Sequence, residues 1–331
     1  PLFAGRAVSI FSGFMTLLGV FLLSLRVFNL RVAFWAALLY AVVPFVVFFD
    51  RMALVDSMLS AFTIWSLYFA VWLLQTQRLD LSFILGYMLG GALLTKTPAI
   101  LNILVLPFTI IAFNFSKAKK FTFLKLLIFW GVAVLTALVI YSVLRLGPEF
   151  HQLSMRNTDY VFSPWELKGR LLDPFIPHFL DLVDWFPKLL TWPIIGFMVL
   201  GLWFMVKKKN RMGGVIFLWA VVPLIIQMAF LKTFTARYIL FSIPPLLIIT
   251  AFGLEKLIEK LTIKKYILTI LALFLILPMS ISFDYINLTK PENLPLPREE
   301  RSGYFEEWTA GYGFKEIAKF LIDQKKNGSV V

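Results

Sequence analysis

Long uncharged apolar stretches recur along this chain, broken at short intervals by polar or basic residues. Runs of roughly 17–25 apolar residues are long enough to cross a hydrocarbon core as helices. The pattern predicts helical spans near 3–25, 32–49, 57–75, 82–95, 98–113, 123–145, 189–206, 213–231, 237–254 and 266–283. Pro98 disfavours helix at Thr97, so the fourth and fifth spans are parted by a break or form one bent, re-entrant unit. Two segments leave the pattern. Residues 146–188 mix aromatics, prolines and charges, which suits short amphipathic helices lying in a membrane interface. Residues 284–331 open with a proline-rich linker at 291–297, pass through Trp308-Thr309-Ala310-Gly311-Tyr312-Gly313, and return to helical spacing over 314–321. The chain thus divides into N-terminal spans (1–145), an outer loop (146–188), C-terminal spans (189–283) and a tail (284–331) expected to form a small cap.

Composition sharpens this into a class. The 331 residues are 60% hydrophobic and 15% charged, whereas soluble domains carry nearer a quarter charged residues. The fold class is therefore an all-α polytopic membrane protein, with membrane lipids as its surroundings. The formal charge of +13 is no nucleic-acid footprint, because Lys and Arg gather in short clusters between apolar runs. Without cysteine, neither disulfides nor thiol chemistry is available. Basic loops at 117–120, 207–211 and 256–265 fall at alternate junctions, and the positive-inside tendency assigns that face to the cytoplasm. Residues 50–56, Lys96, the outer loop, Lys232, Arg237 and the tail then share the opposite face. The chain opens on Pro1, directly before an apolar run and without a signal-peptide pattern, so a further span is expected upstream.

The charges on that outer face carry the candidate chemistry. Asp50, Arg51 and Asp56 lie within seven residues between two uncharged runs. Ionised groups at mid-bilayer are costly, so such a cluster belongs at a membrane face or in a wet cavity. An Arg between carboxylates can hold a phosphate, while the carboxylates fix the Arg or help bind a metal. A solvated loop pinning two helix ends is the plainer reading of the same residues. Lys96, between uncharged runs, either snorkels to headgroups or presents a point charge to a lipid-borne phosphate. Arg237-Tyr238 either anchors the ninth span in the interface or donates to a phosphate oxygen. His151 and His178 lack metal-ligand spacing, and Glu149, Glu166, Asp173 and Asp181 are unranked candidates for touching an acceptor. There is no phosphate-cradling glycine loop, no HExxH and no nucleophile-elbow serine, which leaves soluble-nucleotide chemistry unsupported.

Arg51-Met52-Ala53-Leu54-Val55-Asp56, followed by Ser57-Met58-Leu59, resembles the Arg-x-x-x-x-Asp signature of the dolichyl-phosphate-mannose–protein mannosyltransferases and their bacterial relatives, the aminoarabinose transferases of lipid A. Leu94-Thr95-Lys96 resembles their Leu-Thr-Lys segment. Arg237-Tyr238-Ile239-Leu240 with Pro244-Pro245-Leu246-Leu247 resembles their Tyr-Ile-Leu-Pro…Pro-Leu segment, with Phe241 in place of the first Pro. The resemblance runs in order from residue 1 to about 283. It implies a GT-C-type helix bundle that moves a sugar, with inversion, from a polyprenyl-phosphate donor to an extracytoplasmic protein, lipid or glycan. It further implies that Arg51, Lys96, Arg237 and Tyr238 bind the donor phosphate, that Asp56 orients Arg51 or a donor hydroxyl, and that Asp50 is a secondary candidate. No cofactor is implied with certainty, and a divalent metal is left open. The general base is expected in a first outer loop upstream of Pro1, so these residues alone are expected to be inactive. The outer loop is too short for the soluble module of fungal and animal members, which points to a prokaryotic plasma membrane. A secondary transporter or lipid flippase is the competing reading, although such proteins place polar groups at the midplane and these spans are nearly uncharged there.

Overall fold

The computed structural model describes residues 2–114, 120–261, 264–307, 310, 313–326 and 328. The basic loops at 117–120 and 256–265 and the 308–313 stretch lie partly outside these residues. The helices are α1 (Leu2–Val27), α2 (Leu30–Val42), α3 (Pro44–Asp50), α4 (Asp56–Thr76), α5 (Leu79–Thr95), α6 (Ile100–Val105), α7 (Lys120–Tyr141), α8 (Phe150–Tyr160), α9 (Leu172–Leu189), α10 (Trp192–Lys207), α11 (Arg211–Phe230), α12 (Ile243–Lys260), α13 (Lys265–Thr289), α14 (Arg298–Arg301) and α15 (Phe314–Lys326). Among the described residues, six helical stretches are long and apolar enough to cross a membrane, two bent pairs add to these, and α5 and Thr97–Ala112 are shorter apolar stretches.

Helix occupies every expected span, and the differences have local causes. The stretch read as one span at 32–49 is α2 and α3, bent by 57°. Pro44 at the start of α3 has no N–H to continue the ladder from α2, and Val43 is extended before it. Lys96 is likewise extended before a short 3-10 turn at Thr97–Ala99, so the break expected at Pro98 is present. α9 turns by 115° into α10 through Thr191, whose φ of 71° is unusual for a β-branched residue. α9 is the amphipathic helix expected in the outer loop. α13 continues to Thr289, past the point where the tail was expected to begin.

Close backbone approach holds the bundle together, as it must where lipid replaces water around the helices. α10 meets α12 where Gly201 and Gly253 face each other; a Cβ on Gly253 would lie 2.3 Å from the Phe197 carbonyl oxygen. α1 meets α3 through Gly13, where a Cβ would lie 2.4 Å from Asp50 Oδ2. Side chains such as Phe11, Leu135 and Phe274 point outward, as lipid-facing residues do. Arg26 donates to Gln75 at 2.9 Å and Arg31 reaches Glu255 at 3.4 Å, tying the end of α1 to α4 and the start of α2 to α12. At the other end the outer loop is pinned to the bundle: Phe162 N–H donates to Phe230 O and Lys232 N–H to Tyr160 O, both at 2.8 Å.

Candidate functional site

Asp56 begins α4, where the unpaired N–H groups of the first turn favour a negative charge. Its side chain is buried, so it requires a partner. Lys96 supplies one: its Nζ lies 2.5 Å from Asp56 Oδ1. Because the chain is broken at Pro98, Lys96 leaves the end of α5 in an extended conformation and its side chain reaches α4. The same ammonium sits 4.4 Å from the centre of the Tyr238 ring, and the Arg237 guanidinium carbon is 5.3 Å from that ring. Tyr238 thus meets both cations through its π system, an arrangement that is most stabilising when partly desolvated. Four residues singled out in the sequence, Asp56, Lys96, Arg237 and Tyr238, therefore come together from α4, the α5 break and the Ala236–Ser242 turn.

Two other candidates take different partners. Arg51, expected to be oriented by Asp56, instead donates to the Asn287 carbonyl oxygen at 2.5 Å, near the end of α13. A cation is favoured there by the unpaired carbonyls of a helix C-terminus. Burial and neighbouring Arg6 both lower the proton affinity of Arg51. Asp50 does not face the mouth formed by the others. It is buried, accepts the Tyr40 hydroxyl at 2.8 Å and lies against Gly13.

Two residues of the site were not singled out in the sequence. Glu300, in α14, is buried and accepts the Ala236 N–H at 2.6 Å. Burial pushes its carboxyl up to about 7, with the Ala236 hydrogen bond and Arg237 acting in the opposite direction. Tyr304 stacks edge-on against Phe48 at 5.6 Å and faces Arg237; burial first, then Glu300, pushes its hydroxyl upward. The sequence signal was slight: an acidic pair and an aromatic after a proline-rich linker.

Lys96 and Tyr238 form the polar end of a cavity of about 520 Å³. Ile100, Leu101, Ile226 and Phe230 give it apolar walls, and Arg156 and Tyr160 of α8 border it. A cationic head on an apolar trough suits an amphiphile with a phosphate headgroup. His178 is packed, with its Nδ1 2.8 Å from the Met228 carbonyl oxygen, and His151 is exposed near Glu149. Among the described residues no three His, Asp or Glu side chains come together as metal ligands would.

The family described as dolichyl-phosphate-mannose-protein mannosyltransferase matches over residues 1–145. No curated protein matches the chain in sequence. Among solved structures, the oligosaccharyltransferase of Archaeoglobus fulgidus in its apo form is similar with a TM-score of 0.56 and 16% identity, over 94% of this chain and 48% of that one. The same organism's AglB, in complex with an inhibitory peptide and a dolichol-phosphate, has a TM-score of 0.54 and 16% identity, over 94% and 48%. ArnT from Cupriavidus metallidurans bound to undecaprenyl phosphate has a TM-score of 0.51 and 18% identity, over 97% and 58%. The chain spans about half the length of these proteins. At such identities the likeness concerns the fold, a GT-C-type bundle of membrane helices.

Proposed function

We propose that this chain, which has the GT-C fold and whose residues 1–145 match the dolichyl-phosphate-mannose-protein mannosyltransferase family, is a membrane glycosyltransferase that takes its sugar from a polyprenyl phosphate. One observation carries the reading: the Asp56–Lys96 pair, capped by Tyr238 and flanked by Arg237, closes the polar end of an apolar cavity. Breaking a sugar–phosphate bond leaves negative charge on the departing phosphate, and preorganised cations are the means of stabilising it. Lys96 and Arg237 are placed to do this, with the Tyr238 hydroxyl as a further donor. Asp56 aims the Lys96 ammonium, where Arg51 or a donor hydroxyl was expected as its partner. Arg51 braces α13 through the Asn287 carbonyl. Transfer to an acceptor hydroxyl with inversion needs no nucleophilic side chain, only a base on the acceptor. We assign that base to none of these residues. The finer reading is a hexosyl or pentosyl transferase of a prokaryotic plasma membrane, acting on its outer face; the short outer loop and the basic loops opposite support it.

The test is native mass spectrometry of the full-length protein gently extracted from its membrane. Wild type should carry a polyprenyl phosphate, and Lys96→Gln should lose it while migrating as the same monodisperse species. A wild type that retains no such lipid would overturn the donor assignment.

A further inference from the structure

The chain beyond α13 folds back toward the site. Leu294 and Leu296 are buried in the bundle's core. The Arg301 guanidinium donates to the carbonyl oxygens of Glu292 at 3.0 Å and Leu294 at 3.3 Å, and its Nε meets Glu306 at 2.7 Å. These bonds curl residues 292–306 into a strap across α3. Tyr304 packs on Phe48 and Phe49, with ring centres 5.6 and 6.4 Å apart. The strap also buries a carboxyl group, that of Glu300, only 3% exposed. The N–H it accepts belongs to Ala236, the first residue of the turn that presents Arg237 and Tyr238. Capping that turn needs only an acceptor, which a neutral amide would supply equally. A carboxyl group in this place adds something else: a charge that can appear beside Arg237.

We propose that Glu300 is a positioning residue for the phosphate end of the site, its hydrogen bond fixing the Arg237–Tyr238 turn and its charge setting how freely Arg237 can hold an anion. The inference rests on the donor reading above and adds a regulation to it. An ionised Glu300 competes with a phosphate for Arg237, and a protonated one leaves Arg237 to the phosphate. The groups that face it are Arg237 and the Ala236 N–H from the turn, Glu299 from its own helix and Tyr304 from the strap, with Asp56 reaching Arg237 and Tyr304 from α4. Since burial places the Glu300 transition at about 7, the hold on phosphate should weaken as pH rises through neutrality. A phosphate monoester itself gains charge near pH 6, which acts the other way. Comparison with a variant that cannot ionise separates the two.

The experiment titrates undecaprenyl phosphate onto the full-length protein in nanodiscs at about pH 5.5 and about pH 8.5, on either side of the transition. Glu300→Gln should bind at the higher pH at least about fivefold more tightly than wild type and match it at the lower pH. Glu300→Asp, which keeps the charge on a shorter arm, should bind more weakly than wild type and retain the pH dependence. Identical pH profiles for wild type and Glu300→Gln would overturn the inference. Should Glu300→Gln fail to fold, Glu300→Asp carries the test, and an affinity equal to that of wild type at both pH values would overturn the inference. Lys96→Gln in the same titration keeps the two readings apart. If it abolishes binding while Glu300→Gln follows wild type, only the strap's role fails. If it binds as wild type does, the donor site itself is misplaced.

Discussion

Lys96 and Asp56 each need the other. Asp56 is almost fully buried and Lys96 mostly so, and removing one partner of such a pair strands a charge that water cannot reach. Lys96→Met should therefore destabilise the protein by roughly 3 kcal/mol, moderated by the α4 N-terminus, which still favours the Asp56 carboxylate. Asp56→Asn in the same chain should restore most of that loss, because the pair is then replaced by uncharged groups. Thermal unfolding in detergent of the two single variants and the double variant gives the coupling, and purely additive losses would refute the pairing. That Lys96 and Asp56 each needed a reason to sit against uncharged runs was legible in the sequence. Their partnership was not, since it spans 40 residues and depends on how α4 and α5 pack. Arg51 shows the same limit more sharply. Its partner, the Asn287 carbonyl, lies 236 residues away, and no local pattern says which helix end will arrive beside a guanidinium.

The break at Pro44 lay inside an uncharged run read as one span, but the boundary at Pro98, beside Lys96, was readable. Direction was not. A run of apolar residues fixes length, but not the angle taken at a break, which is 57° at Val43 and 115° at Thr191. Glycine marks where that packing is tightest. In α12, Gly253 lies over the backbone of Gly201, and a Cβ there would fall 2.7 Å from the Gly201 Cα, a backbone atom that cannot swing aside. Gly253→Ala should force α10 and α12 apart and cost about 1–3 kcal/mol, the usual range for overpacking. The helix itself would gain from alanine, so any measured loss is a minimum for the packing cost. Gly214, with open space around its Cβ position, is the matched control on α11: Gly214→Ala should leave the melting temperature unchanged or raise it. Equal effects at both positions would mean that the α10–α12 contact is not a close one. The tail lies at the other extreme of legibility. α15 has helical spacing and was expected, whereas the strap at 292–306 was hidden, because its hold on the bundle comes from buried Leu294, Leu296 and Glu300 rather than from periodicity.

Across the whole molecule, charge is sorted by end. Asp56, Lys96, Arg237, Glu300 and Tyr304 gather at one end of the bundle, and the Arg26–Gln75 and Arg31–Glu255 contacts lie among the junctions at the other. The basic loop at 207–211 follows α10 at that second end. A membrane potential and anionic inner-leaflet lipids hold such loops inside, so the site should face out. That orientation decides which leaflet's lipids can reach the cavity beside Lys96. The chain's lack of cysteine makes the point directly testable, since a single introduced thiol is the only one present. Lys168→Cys in the outer loop and Lys208→Cys after α10 both place the thiol on an exposed residue. In intact cells a membrane-impermeant maleimide should label the first and spare the second, and permeabilisation should make both reactive. The reverse pattern would turn the molecule over, bring the Lys96 cluster to the cytoplasm and remove the ground for an extracytoplasmic acceptor. Labelling of both in intact cells would place α10 in the membrane interface rather than across the bilayer, and the 115° turn between α9 and α10 would then mark a re-entrant unit.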